Sequence, residues 1–264
     1  MLGKAIRLER IIDRATGNAV IVPLDHGMSM GPLPGLTDLK DTVTKVAAGG
    51  CTAVLMHKGM IPFGHRGCGR DLGLIVHLSA GTSYSDNPSS KVIVTSVEEA
   101  ISLGADAVSI HINLGGDTEA EMLKNAGEIS RSCAQWGMPL LAMVYPKGRN
   151  LKDPYDVDAV KTCARVAAEI GADIVKTVYT GNPDTFHEVV RGAQIPVVIA
   201  GGPKINSDFD MLTMVAESLE AGGKGVSIGR NIFQHRNITG ITKAVSDLVL
   251  HGADVETALK NLQP

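Results

Sequence analysis

Apolar residues in this chain fall into short, nearly unbroken runs that alternate with longer stretches in which they recur every three to four positions. The runs lie at 19–23, 53–56, 74–78, 108–112, 140–144, around residue 176, at 196–200 and at 225–228. Their length and their β-branched content mark strands covered on both faces. The stretches between them, at 36–48, 118–136, 156–170, 184–191, 209–221 and 238–251, have the period of helices with one buried face. A further short run at 91–95 is predicted as a strand outside the main sheet. It leads into a helix with Ser96 as N-cap and Glu99 at the third helical position. Residues 4–13 alternate charge and aliphatics as a short amphipathic N-terminal helix would. Eight strands with intervening helices and no linker-like segment predict one (β/α)8 TIM barrel over residues 1–264. The rival, an open doubly wound sheet, wants a glycine fingerprint after its first strand, and none is there.

An internal repeat sharpens this picture. Gly50 to Val54, Gly104 to Val108, Gly171 to Val175 and Gly222 to Val226 share one register: glycine, three residues, valine, then strand. Aligned, they place Leu55, Ser109, Lys176 and Ser227 in one interior layer, and His57, His111, Val178 and Gly229 in the next. Lys176 is then an amine among two serines and a leucine, with no acid in its own layer. Burial disfavours the ammonium form and leaves a neutral amine able to attack a ketone. The competing reading is a strand-end lysine with a packed stem and a solvated head.

Composition narrows the class. The chain has 264 residues, 44% of them hydrophobic and 20% charged, with a net charge of −3, so no basic field points to nucleic acid. No apolar run is long enough to span a membrane, and no signal peptide is read. Cys51, Cys68, Cys133 and Cys163 lack disulfide-framework or zinc spacing and are expected as reduced thiols in a cytoplasmic protein. An anionic substrate must therefore be caught by local groups.

In a barrel of this kind the working groups sit at the C-terminal ends of strands, with phosphate near the last two loops. Those loops read Gly201-Gly202-Pro203-Lys204 and Gly229-Arg230, so glycine backbone, Lys204 and Arg230 are the expected phosphate contacts. Asp25, Tyr145 and Lys176 close the first, fifth and sixth strands. A carboxylate, a phenol and an amine at one mouth are the parts of carbonyl chemistry through a Schiff base. Lys176 is the expected nucleophile, Tyr145 the proton donor and acceptor, and Asp25 the proton shuttle. No cofactor is needed for that chemistry. A metal-dependent lyase is the mechanistic rival, with His57 and His111 as ligands and His77, His26 or Asp25 as a third. None of these has diagnostic spacing, so substrate contacts or satisfied core positions suit the two histidines better. Lys58 and Lys147 lie just past strand ends, where water keeps them charged, and Lys91 precedes the strand outside the barrel. Lys58, His65, Arg66 and Arg70 form a basic loop that could meet a second anion or simply face solvent.

The motifs IVPLDHG, AVLMHKG, MVYPKGR, ADIVKTVYTG, VVIAGGPK and GVSIGRNIFQH, in this order, resemble the archaeal-type class I fructose-bisphosphate aldolase family. The nearer branch is that of the 2-amino-3,7-dideoxy-D-threo-hept-6-ulosonate synthases, because Met143 stands where the fructose-bisphosphate branch carries tryptophan. The resemblance spans nearly the whole chain. It implies a Schiff base on Lys176, acid/base work by Tyr145, and a catalytic role for Asp25. It further implies a transaldolase-like exchange. In this exchange 6-deoxy-5-ketofructose 1-phosphate loses hydroxypyruvaldehyde phosphate, and the remaining three-carbon enamine adds to L-aspartate semialdehyde, on the way to 3-dehydroquinate and aromatic amino acids. A homo-oligomer, often a decamer in such families, is implied by the same analogy, and fructose-1,6-bisphosphate aldolase is the alternative activity.

Overall fold

The computed structural model describes residues 1–262 apart from 66–68, 70–71, 149–150 and 206. Three strands open the sheet: β1 (Ala19–Pro23), β2 (Ala53–Met56) and β3 (Gly73–His77). A two-stranded antiparallel hairpin, β4 (Ser79–Ala80) with β5 (Val92–Ile93), follows outside it. The sheet then resumes with β6 (Ala107–Leu114), β7 (Leu140–Pro146), β8 (Ile174–Thr177), β9 (Val197–Ala200) and β10 (Gly225–Ser227). The eight parallel strands close in the order β1-β10-β9-β8-β7-β6-β3-β2, which is the (β/α)8 barrel that the alternating pattern predicts.

Two cores explain why the strand sequences are apolar on both faces. Ala19, Ile21, Leu55, Ile75, Leu141 and Ile174 fill the barrel interior, while Val20, Val22, Val54, Val108 and Val175 face outward under the helices. The repeat has a backbone cause. Gly50, Gly104, Gly171 and Gly222 all adopt left-handed φ between 82° and 94°, the conformation in which a helix reverses into the next strand most readily when no Cβ is present.

The N-terminal helix spans Leu2–Leu8, shorter than the charge alternation suggests. Beyond it Ile11 is fully buried and stoppers the bottom of the barrel. The Lys4 amine to Asp173 (2.9 Å) and the Arg7 guanidinium to the Gly137 carbonyl (3.0 Å) pin the helix there. At the other end of the chain, one more helix follows Ile238–His251. Gly252 turns with φ 67°, Asp254 caps through the Thr257 amide (2.7 Å), and Val255–Leu262 packs on its predecessor. The bottom is thus sealed, and the chemistry is confined to the top.

Candidate active site

Lys176 points into the barrel and keeps only 6% of its surface exposed. It lies beside Met143 on β7 and Val198 on β9, and Met143 lies in turn beside His111 on β6. Because the strands tilt, in-register residues climb by one position from strand to strand, so Ser109 lies level with Lys176 and His111, two strands away, lies one layer above it, as the repeat implies. The segment after β1 brings in an acid. Asp25 lines the same recess as Lys176, so the amine is not isolated from carboxylates.

The side chains converge on a cavity of about 540 Å³ at the C-terminal ends of the strands. Lys176, Tyr145 and His111 line it from the inner side, and Gly201, Gly202, Gly229 and Arg230 line it from the last two loops. A recess of about 180 Å³ shares Lys176, Tyr145 and His111 and adds Asp25 and His77. Asp25 is held from two sides, with His26 Nδ1 at 3.4 Å and His77 Nε2 at 3.9 Å. His77 is itself fixed by a 2.7 Å hydrogen bond between Nδ1 and the Ser109 hydroxyl.

This arrangement sets the protonation states apart. Burial pulls the Lys176 amine down to about 8, although the Asp25 charge opposes that; the nearby Arg230 guanidinium adds to the drop. Burial alone would raise the Asp25 carboxyl, but the His26 ring together with the charges around it holds it well below the usual carboxylate range. Burial, then Asp25, push the Tyr145 phenol above its ordinary value, so it stays protonated and able to donate. Burial pulls His111 down to about 4 and His77 to about 3, so both rings are neutral at pH 7.

The His111 tautomer follows from its neighbours. The Asn113 amide nitrogen donates to the Ser89 carbonyl (2.6 Å), which turns Asn113 Oδ1 toward His111 Nε2 at 3.0 Å. An oxygen acceptor there requires the proton on Nε2. The Nδ1 lone pair is left to accept from a substrate hydroxyl.

The loops after the last two strands are joined by Asn231, whose amide nitrogen donates to the Gly201 carbonyl (2.9 Å) and the Pro203 carbonyl (3.2 Å). Arg230 Nη2 donates to the Gly202 carbonyl (2.8 Å), while its buried Nε and the buried Ser227 hydroxyl have no partner among the described residues. Unpartnered buried donors beside a cavity are groups prepared for a ligand. Gly229 has a steric reason to be glycine, since a Cβ there would come within 2.9 Å of the Pro23 carbonyl.

Not every expected residue reaches the cavity. Lys204 is exposed and turns toward the Gln234 carbonyl (3.4 Å). His57 is buried against the His77 ring (5.2 Å between centroids) and lines neither the cavity nor the recess. Lys58 is tied to Glu99 (2.9 Å), His65 is exposed, and Arg66 and Arg70 lie outside the described residues, as does Cys68. Cys133 and Cys163 are buried free thiols. Among the described residues no three His, Cys, Asp or Glu side chains gather as a metal site, and no helix is long and apolar enough to cross a membrane. Conversely, Lys91 enters the cavity although its strand lies outside the barrel, and Ser227 and Asn231 complete the loop geometry. Lys91 escapes a sequence reading because the hairpin's tertiary packing, not its pattern, decides where its amine goes.

A buried amine, a protonated phenol and an ionised carboxylate around one cavity can form and break a Schiff base. The family model for DeoC/LacD family aldolase matches residues 19–235. The chain belongs to this aldolase family. Among relatives, this aldolase is 43% identical over 252 residues to the 2-amino-3,7-dideoxy-D-threo-hept-6-ulosonate synthase 1 of Archaeoglobus fulgidus, covering 96% of this chain and 92% of the relative. It is 36% identical over 246 residues to a 2-amino-4,5-dihydroxy-6-oxo-7-(phosphonooxy)heptanoate synthase of Streptomyces griseus, covering 93% and 90%. Among solved structures, an archaeal fructose-1,6-bisphosphate aldolase with its catalytic lysine covalently bound to the carbinolamine intermediate superposes with a TM-score of 0.87 at 32% identity, covering 93% of this chain and 99% of that one. The aldolase is accordingly an enzyme of the Schiff-base, class I type.

Its pH dependence follows from the amine. Below a pKa of about 8 only a minor fraction of the Lys176 amine is neutral and able to attack a ketone. We expect kcat/KM for the ketone substrate to rise about tenfold per pH unit from pH 6 toward 8 and then level. A profile flat from pH 6 to 9 would contradict an attacking amine at this position.

Proposed function

We propose that the protein is an aldol synthase of the transaldolase type that joins a three-carbon unit, carried as an enamine on Lys176, to L-aspartate semialdehyde. The observation that carries this reading is the 43% identity to a 2-amino-3,7-dideoxy-D-threo-hept-6-ulosonate synthase, combined with Lys176 buried beside Tyr145 and Asp25. Both relatives' names describe seven-carbon 2-amino acids with a ketone at the sixth carbon. An aldol bond between the fourth and fifth carbons divides either skeleton into a three-carbon ketone and a four-carbon amino acid aldehyde. Relatives that differ in the ketone thus agree on the acceptor.

In this reading the neutral Lys176 amine adds to the ketone of 6-deoxy-5-ketofructose 1-phosphate, and the carbinolamine loses water to give an iminium. Carbon–carbon cleavage then sends its electron pair into the iminium, leaving an enamine and releasing hydroxypyruvaldehyde phosphate. The enamine carbon bonds to the acceptor aldehyde carbon, and water hydrolyses the new iminium to free the product. Cleavage releases one hydroxyl proton and addition consumes one. Tyr145 carries that proton, and Asp25 serves the dehydration and hydrolysis of the carbinolamine. The product is a precursor of the 3-dehydroquinate route to aromatic amino acids.

The glycine loops and Arg230 are assigned to a substrate phosphate, and His111 Nδ1 to a substrate hydroxyl. Arg230→Met is expected to raise KM for a phosphorylated ketose at least about tenfold while changing kcat much less, because it removes charge-assisted contacts made in both ground and transition states. Steady-state kinetics at fixed acceptor will measure that split. The second reading is fructose-1,6-bisphosphate aldolase, favoured by the archaeal aldolase structures that superpose on the barrel. The two readings separate on one measurement: the purified protein given the ketose phosphate with L-aspartate semialdehyde or with glyceraldehyde 3-phosphate. A preference for the second acceptor would overturn the synthase reading. We assign the protein to the cytoplasm and, from its family resemblance, to a homo-oligomer; light scattering will report the assembly.

A further inference from the structure

The cavity carries two groups of cations on opposite sides of Lys176. Arg230 follows β10, two strands from β8 in one direction around the rim. Lys147 follows β7, the neighbour of β8 in the other direction, and Lys91 arrives beside it from the β4–β5 hairpin. No carboxylate pairs with Lys91 among the described residues, and Asp25 is the one acid lining the cavity or its recess. Four cations and one carboxylate in the lining of a chain with net charge −3 describe a site that receives an anion on either side of Lys176.

Lys91 is placed with some care. Its amine donates to the Pro88 carbonyl (2.7 Å), which spends one of three donors and leaves the rest toward the cavity. A Cβ on Gly81 would come within 2.9 Å of that amine and 2.7 Å of the Ser90 carbonyl, so the lysine stem lies flat against the end of β4. The turn before β5 is fastened in its own right by Ser89, whose carbonyl accepts from Asn113 on β6. Lys91 is half-buried, and burial followed by the charge of Lys147 lowers its pKa, as two adjacent ammonium groups lacking an anion should.

We propose that Lys91, assisted by Lys147, is the anion subsite for the aldehyde half of the reaction, and holds the carboxylate of a small acidic aldehyde while its carbonyl carbon meets the enamine on Lys176. This rests on the synthase reading above and adds the residue that selects the acceptor.

In a two-stage exchange, kcat/KM for the acceptor reports only the enamine's encounter with it, and is independent of how the donor binds. Lys91→Met, which keeps the stem and removes the charge, should lower kcat/KM for L-aspartate semialdehyde at least about twentyfold, the size of a lost charge-assisted hydrogen bond. The value for propanal, an uncharged aldehyde, should change less than about threefold, and Lys91→Arg should restore most of the discrimination. L-Homoserine, the alcohol of the same aldehyde, should lose competitive inhibition in Lys91→Met by a similar factor, a binding readout independent of turnover. Equal losses for charged and uncharged aldehydes, or an unchanged homoserine inhibition constant, would overturn the assignment. Borohydride trapping of the donor on Lys176 in the wild-type protein keeps the two ideas apart. Failure to trap sinks the Schiff-base reading itself, whereas trapping with unchanged acceptor selection sinks only the role of Lys91.

Discussion

Lys176→Met is expected to abolish turnover and, at the same time, to make the protein more stable. The first effect follows from covalent chemistry: a thioether cannot form an imine, and no neighbouring amine is placed to substitute. Lys91 is anchored on the Pro88 carbonyl and its charge is assigned to an anion, and Lys58 is paired with Glu99. Turnover should fall by at least about 10⁴-fold, and borohydride with the ketose phosphate should leave no adduct. The second effect follows from linkage. The folded protein holds Lys176 at about 8 against an ordinary 10.5, so the unfolded chain binds the proton more tightly. Below pH 8 the fold bears the whole penalty of a buried ammonium, and the penalty fades as pH rises from 8 toward 10.5. Methionine fills a similar volume without charge, and at pH 7 should add on the order of 3 kcal/mol, less what Asp25 loses when its neighbouring cation goes. Denaturant titrations of both proteins at pH 7 and pH 10 test this. The gain should shrink at the higher pH, and a variant less stable than wild type at pH 7 would show that Lys176 is not a strained buried cation.

That lysine is legible in the sequence because two regularities intersect at it. A glycine-to-valine spacing repeated four times marks where strands begin, and parity then turns every second residue inward. Asp25 and Tyr145 are reached by the same parity, and Gly201, Gly202, Gly229 and Arg230 by their place after the last two strands. What the pattern misses has several causes. A repeat that covers four of the eight strands is silent on the other four, so it concealed the approach of Asp25, which follows β1, to the amine. His57 obeys parity, yet it packs against His77 below the working surface. Lys204 sits in the right loop, but the Asn231 and Arg230 bonds to Gly201, Gly202 and Pro203 hold that loop by its backbone and leave the lysine outside. Lys91 belongs to a hairpin whose course over the mouth depends on contacts between segments, such as Asn113 with Ser89, that no local period encodes. Parity and loop position therefore identify reacting groups better than they identify binding groups, which depend on how rim segments fold back.

Tyr145→Phe should separate imine formation from carbon–carbon bond making. The phenol packs at 5.1 Å from the His111 ring, and its volume is nearly kept by phenylalanine, so the fold should change little. Burial and Asp25 keep the hydroxyl protonated across the whole working range of pH, which suits a group that donates to oxygen as the aldehyde carbon is attacked. Removing it leaves the alkoxide without its proton source. We expect kcat to fall about 10²–10⁴-fold, the usual size of a general acid contribution, with KM for the ketone nearly unchanged. Lys176 should still be trapped by borohydride with the ketose phosphate, because attack on the ketone and loss of water from the carbinolamine depend on the amine and on Asp25. Asp25→Asn supplies the contrast. It removes the carboxylate assigned to dehydration of the carbinolamine, so the trapped adduct itself should form more slowly, even though loss of the charge that supports the Lys176 ammonium should move the amine's titration below 8. Equal suppression of trapping and turnover in both variants would mean that the phenol and the carboxylate act on a single step, and the division of labour between them would have to be abandoned.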